Sequence, residues 1–179
     1  MKRLIILTYI LCVFLTIQAK KYTVSSPNGK IKVTVTTDEL LQWSIHYNDE
    51  QLLRPSVLQM NIREATQQPG IKPIVRKAQM EKVDKEQIAI VPLKQRVIKD
   101  RYNQLTLDCK GDYAVVFRVY DNGAAYRFET SYSDSQITVN SETLEQNWIE
   151  GCRAYWPREK NQEYITHCEA IFDEIPLVN

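Results

Sequence analysis

Glycine is scarce, with five in 179 residues. Neither GxGxxG nor GxxxxGK[ST] occurs, so the common phosphate-cradling nucleotide sites are excluded. Histidine is scarcer still, at two, which leaves a Ser/His/Asp constellation only His46 and His167 to draw on. There is no GxSxG elbow and no HExxH. Cys168 follows His167, but adjacency in sequence does not make a nucleophile and base pair. The four cysteines form no CxxC pair and have no histidine at finger-like distance, which argues against zinc. No basic run marks a nucleic-acid footprint, and the formal charge is +1.

The one long apolar run is at the start. Met1-Lys2-Arg3 is a short positive region, residues 4–17 are almost wholly apolar, and Gln18-Ala19 offers a cleavage point before Lys20-Lys21. The run is too short for a comfortable membrane span of roughly 20 residues. Residues 1–19 therefore read as a secretory signal and residues 20–179 as the mature domain. Tyr9-Ile10-Leu11 is a poor lipoprotein box before Cys12, which argues against a lipid anchor. Losing Lys2 and Arg3 leaves 21 basic against 22 acidic residues. Cys109, Cys152 and Cys168 remain. That odd number allows one disulfide or none, and a domain of this size does not need staples.

What is abundant is alternation. Residues 115–130, VVFRVYDNGAAYRFET, read as strand, turn, strand, with Gly123 expected to take the positive φ of a tight hairpin. Residues 21–26 and 30–37 flank Ser26-Pro27-Asn28-Gly29, a second hairpin cue. Residues 41–47 make a third strand, turned at Asn48-Asp49-Glu50. A short strand starts at Gln51 and is expected to stop at Pro55. Strand candidates follow at 74–83, 87–91, 94–100, 102–110 and 136–140, with 141–146 a loop or helical turn. Short strands with little helical periodicity predict an antiparallel sandwich.

The tail is rich in carboxylates: Glu159, Glu163, Glu169, Asp173 and Glu174. Glycosidases need two facing carboxyl groups, and Glu169 and Asp173 would share a face if this run were helical. A solvated acidic face explains the same pattern. Trp43, Trp148, Trp156 and the tyrosines could stack on sugar rings, although aromatics in a sandwich also serve as core. The final residues, Pro176-Leu177-Val178-Asn179, carry no terminal signal and read as a chain stopped in mid-protein.

Several motifs go further. Ser25-Ser26-Pro27-Asn28-Gly29-Lys30-Ile31, the strands over 22–47, and Leu53-Arg54-Pro55-Ser56-Val57-Leu58 resemble the opening of the N-terminal domain of glycoside hydrolase family 97. Arg101-Tyr102-Asn103-Gln104-Leu105 is similar to that family's strand entry. FRVYDNGAAYRF over 117–128 is similar to its hairpin, and Trp156-Pro157 and Asn161-Gln162-Glu163-Tyr164 to its late motifs. The resemblance implies an all-β, antiparallel super-sandwich of the galactose-mutarotase-like kind, with little helix. It implies an exported, calcium-dependent α-glucosidase or α-galactosidase in the periplasm of a gram-negative bacterium. The partners implied are a catalytic (β/α)8 barrel and an α-linked oligosaccharide.

By motif, the calcium ligand supplied by this domain is Glu163. Calcium needs several oxygen ligands, so the others would come from the barrel. No catalytic residue can be carried over, because the barrel positions have no counterpart in this chain. The chain is therefore expected to be inactive alone. The rival readings are a free-standing carbohydrate-binding module using Trp43 or Trp156, and an envelope sandwich without a ligand.

Overall fold

A computed structural model of the chain describes residues 20–92, 94–133, 136–157 and 172–177. These form eleven strands, and no helix occurs among the described residues. In chain order they are β1 Lys20–Ser25, β2 Ile31–Thr37, β3 Leu41–Tyr47, β4 Glu50–Ile62, β5 Val75–Ile88 and β6 Val97–Cys109. Then come β7 Tyr113–Tyr120, β8 Gly123–Thr130, β9 Val139–Leu144, β10 Arg153–Pro157 and β11 Phe172–Pro176. A five-stranded sheet runs β1-β2-β3-β4-β9, a four-stranded sheet β5-β6-β7-β8, and β10 pairs with β11. Every named pairing is antiparallel.

The two larger sheets face one another, and the period-2 apolar positions fill the space between them. Val24, Val33, Val35, Leu41 and Trp43 come from the first sheet; Leu105, Leu107, Val115, Phe117 and Val119 come from the second. Cross-strand register keeps each set on one face, with Val33 opposite Ile45, Val35 opposite Trp43, and Leu105 opposite Phe117. Beyond Tyr102, β6 loses β7 and pairs with β5 alone. That end is a two-stranded ribbon, and there Ile88 and Ile98 are exposed.

Four local expectations are corrected. Pro55 does not stop β4. The register steps from Trp43 opposite Ser56 to Ile45 opposite Leu53, so Arg54 and Pro55 share one opposing residue in a bulge. A proline lacking its N–H costs nothing in the ladder there. Gly123 does not carry positive φ. That conformation falls on Asn48 and Asp49 in the β3–β4 turn and on Gly29, Gly70, Gly111 and Gly151, among others. The four candidates over 74–110 are two long strands, because pairing partners carry the chain through its charged stretches. Residues 139–144 are a strand on the edge beside β4, not a helical turn.

Candidate functional site

The predicted calcium ligand, Glu163, lies outside the described residues, as do Glu159, His167, Cys168, Glu169 and the residue 1–19 leader. The nearest described strands in sequence are β10 and β11, which pair from Arg153 opposite Pro176 to Pro157 opposite Phe172 as a two-stranded ribbon. Arg153 Nε donates to Glu174 Oε1 at 2.7 Å across it. Tyr155, Trp156 and Phe172 are exposed there. Asp173 sits on β11 opposite Trp156, so the helical face shared with Glu169 does not form at this end. Among the described residues no three His, Cys, Asp or Glu side chains converge.

Several described titratable groups serve structural contacts. Glu64 Oε2 accepts the Thr138 N–H at 2.8 Å, which lowers its pKa. Glu142 Oε1 accepts the Tyr126 hydroxyl at 2.6 Å, and burial leads in raising that phenol's pKa. His46 Nδ1 is buried with no hydrogen-bond partner among the described residues, so it forms no triad hydrogen bond. Cys109 is buried and free, and Cys152 is free. Burial pushes the Cys109 thiol up to about 11, the opposite of an activated nucleophile.

A cleft lined by several aromatic residues lies at one end of the sandwich. Its volume is about 530 Å³, and Trp43, Tyr47, Trp148, Asp121, Asn122 and Gln146 help to line it. Trp43 is 7% exposed and belongs to the core, with its ring centroid 5.6 Å from that of Tyr126. It is a floor rather than the open platform that the carbohydrate-module reading required. Trp156 is the exposed tryptophan. Trp148 is held from three sides. Its Nε1 donates to Gln146 Oε1 at 3.2 Å, its carbonyl accepts Arg54 Nη2 at 2.8 Å, and its backbone bridges to Leu53. Sequence reasoning marked the aromatics but missed Asp121, Asn122 and Gln146. They lie far apart in sequence, and Asp121-Asn122 read as turn chemistry alone.

The described residues thus make an all-β antiparallel sandwich with an aromatic cleft and a separate two-stranded ribbon. The chain belongs to the glycosyl-hydrolase 97 N-terminal family, which it matches over residues 24–179. It is similar to the retaining α-galactosidase of Bacteroides thetaiotaomicron, 35% identical over 132 residues that cover 72% of this chain and 19% of the relative. A glycoside hydrolase family 97 enzyme from Pseudoalteromonas sp. strain K8, solved with acarbose, shares the fold: TM-score 0.68, 19% identity, 87% of this chain and 24% of that one. A β-arabinopyranosidase structure superposes with TM-score 0.59 at 23% identity, over 71% of this chain and 20% of that one. The chain thus spans about a fifth to a quarter of the length of these relatives.

Proposed function

We propose that the chain is the non-catalytic N-terminal domain of an exported, calcium-dependent α-glycosidase, acting on α-glucosides or α-galactosides in the periplasm. In this reading a catalytic barrel elsewhere in the parent protein carries the reacting carboxylates. Glu163 presents one carboxylate to a calcium ion whose remaining oxygen ligands belong to the barrel. When bound, the ion supplies positive charge beside the sugar. The observation that carries this reading is the family match over residues 24–179, set against the small share of each relative that the chain covers. Residues 1–19 are its export signal. Among the described residues no helix is long and apolar enough to cross a membrane.

The test has two parts. The 179-residue chain, assayed with calcium on p-nitrophenyl α-galactoside and α-glucoside, should show no turnover. Turnover abolished by a point substitution within the chain would reject the accessory role. In a chimera carrying this chain in place of the matching part of the Bacteroides enzyme, Glu163→Gln should weaken calcium binding tenfold or more by calorimetry. Unchanged affinity would remove Glu163 from the ligand set.

A further inference from the structure

We infer that the cleft between the β3–β4 turn, the β7–β8 turn and residues 146–148 is a binding site for a pyranose sugar. Its volume, about 530 Å³, lies within the range of small-ligand clefts, about 300–1,000 Å³. Tyr47, 40% exposed at the end of β3, and the braced Trp148 supply aromatic walls, and Trp43 lies in the floor. The rim is polar. Asp121 commits Oδ1 to the Asn28 N–H at 2.8 Å. Its Oδ2 has no protein partner among the described residues, and Asn122 and Gln146 line the same cleft.

The lining decides the ligand class. An acyl chain or an aliphatic side chain would desolvate a carboxylate and two amides without returning hydrogen bonds, which is unfavourable for each group. A phosphorylated ligand would bring its charge against Asp121. A pyranose lays its C–H face on Tyr47 and Trp148, and its hydroxyls donate to Asp121 and exchange hydrogen bonds with the amides. The site requires neither calcium nor Glu163, so it stands or falls separately from the accessory-domain reading.

The test uses the three tryptophans of the ¹⁵N-labelled 179-residue chain, in EDTA. Their indole signals are assigned by single Trp→Phe variants. The probes are methyl α-D-galactopyranoside, methyl α-D-glucopyranoside and maltotriose, taken to about tenfold above a millimolar Kd. The Trp148 and Trp43 signals should move saturably with at least one probe while the Trp156 signal stays. Tyr47→Ala and the isosteric Asp121→Asn should each weaken that binding fivefold or more without loss of spectral dispersion. No saturable shift, shifts confined to Trp156, or affinity unchanged in both variants would overturn the assignment.

Discussion

Substituting alanine at three glycines separates backbone strain from steric conflict. Gly70 has φ +87°, and an added Cβ would lie 2.2 Å from the Leu58 carbonyl oxygen and 2.8 Å from Gln59 Cα. Both obstacles are backbone of β4, and Leu58 is fully buried, so neither can swing aside. The Gly70 carbonyl also accepts the Leu41 N–H at 2.8 Å, and the Pro69 carbonyl accepts Met60 N–H at 3.0 Å. Relief of the clash therefore strains two strand contacts. Left-handed backbone costs a non-glycine residue about 1–2 kcal/mol, and forced displacement in a packed site about 1–3 kcal/mol. Gly70→Ala should lose about 2–5 kcal/mol together.

Gly29 has φ +76° but open space around it, so Gly29→Ala should lose only the backbone part, about 1–2 kcal/mol. Gly123 has no positive φ, and a Cβ added there would meet nothing within 4 Å. Gly123→Ala should be neutral or gain up to about 1 kcal/mol by restricting the unfolded chain. Urea unfolding followed by tryptophan fluorescence gives the three values. At about 2–4 °C per kcal/mol for a domain of this size, Gly70→Ala should melt about 5–20 °C lower. Equal losses at Gly70 and Gly29 would refute the steric argument, and a loss at Gly123 would refute the conformational one.

Two further outcomes follow from buried groups. Ser56 is fully buried, and its hydroxyl donates to the Arg54 carbonyl at 2.8 Å and accepts the Asn147 N–H at 3.0 Å. Ser56→Ala should cost about 1–3 kcal/mol in urea unfolding, and a neutral result would mean that water replaces both bonds. Burial holds the Cys109 thiol neutral up to about pH 11, whereas an unfolded thiol ionises near pH 8.5. The native state then binds the extra proton, so stability is retained below about pH 8.5 and falls as pH rises to about 11, by roughly 3 kcal/mol at most. Cys109→Ala should flatten that interval in pH-dependent unfolding, and an unchanged slope would assign the loss to other groups, such as the buried Tyr113.

Most of the sandwich was legible because a half-buried strand writes its burial into every second residue. Ile31, Val33 and Val35 declare a face without any tertiary knowledge. The failures share a cause: the partner strand, not the local sequence, decided. Charged residues 76–87 form one strand because β6 runs beside them for its whole length. The hairpin at Asp121-Asn122 closes without left-handed glycine, while Asn48 and Asp49 adopt the positive φ instead. Trp43 could not be assigned to core or surface until β3 was placed against β7 and β8. Asp121 and Gln146 are brought to one cleft only by the tertiary fold, 25 residues apart in sequence.

The bulge at Arg54-Pro55 connects the fold to the cleft. A regular β4 would present its N–H and C=O groups to β3 and a neighbouring strand in strict alternation. The extra residue turns the Arg54 N–H to the Asn147 carbonyl at 2.9 Å and the Pro55 carbonyl to Asn147 Nδ2 at 3.0 Å. Glu145 adds two bonds to Val57, one from its backbone N–H and one to its carboxylate, and the Ile149 N–H reaches the Leu52 carbonyl. Residues 145–149 are thus tied down on both sides of Trp148, which the Arg54 guanidinium and Gln146 then hold in place. An aromatic wall set by these seven backbone and side-chain bonds loses little conformational entropy when a ligand arrives. The proline that looked like the end of a strand is part of what keeps that wall in position.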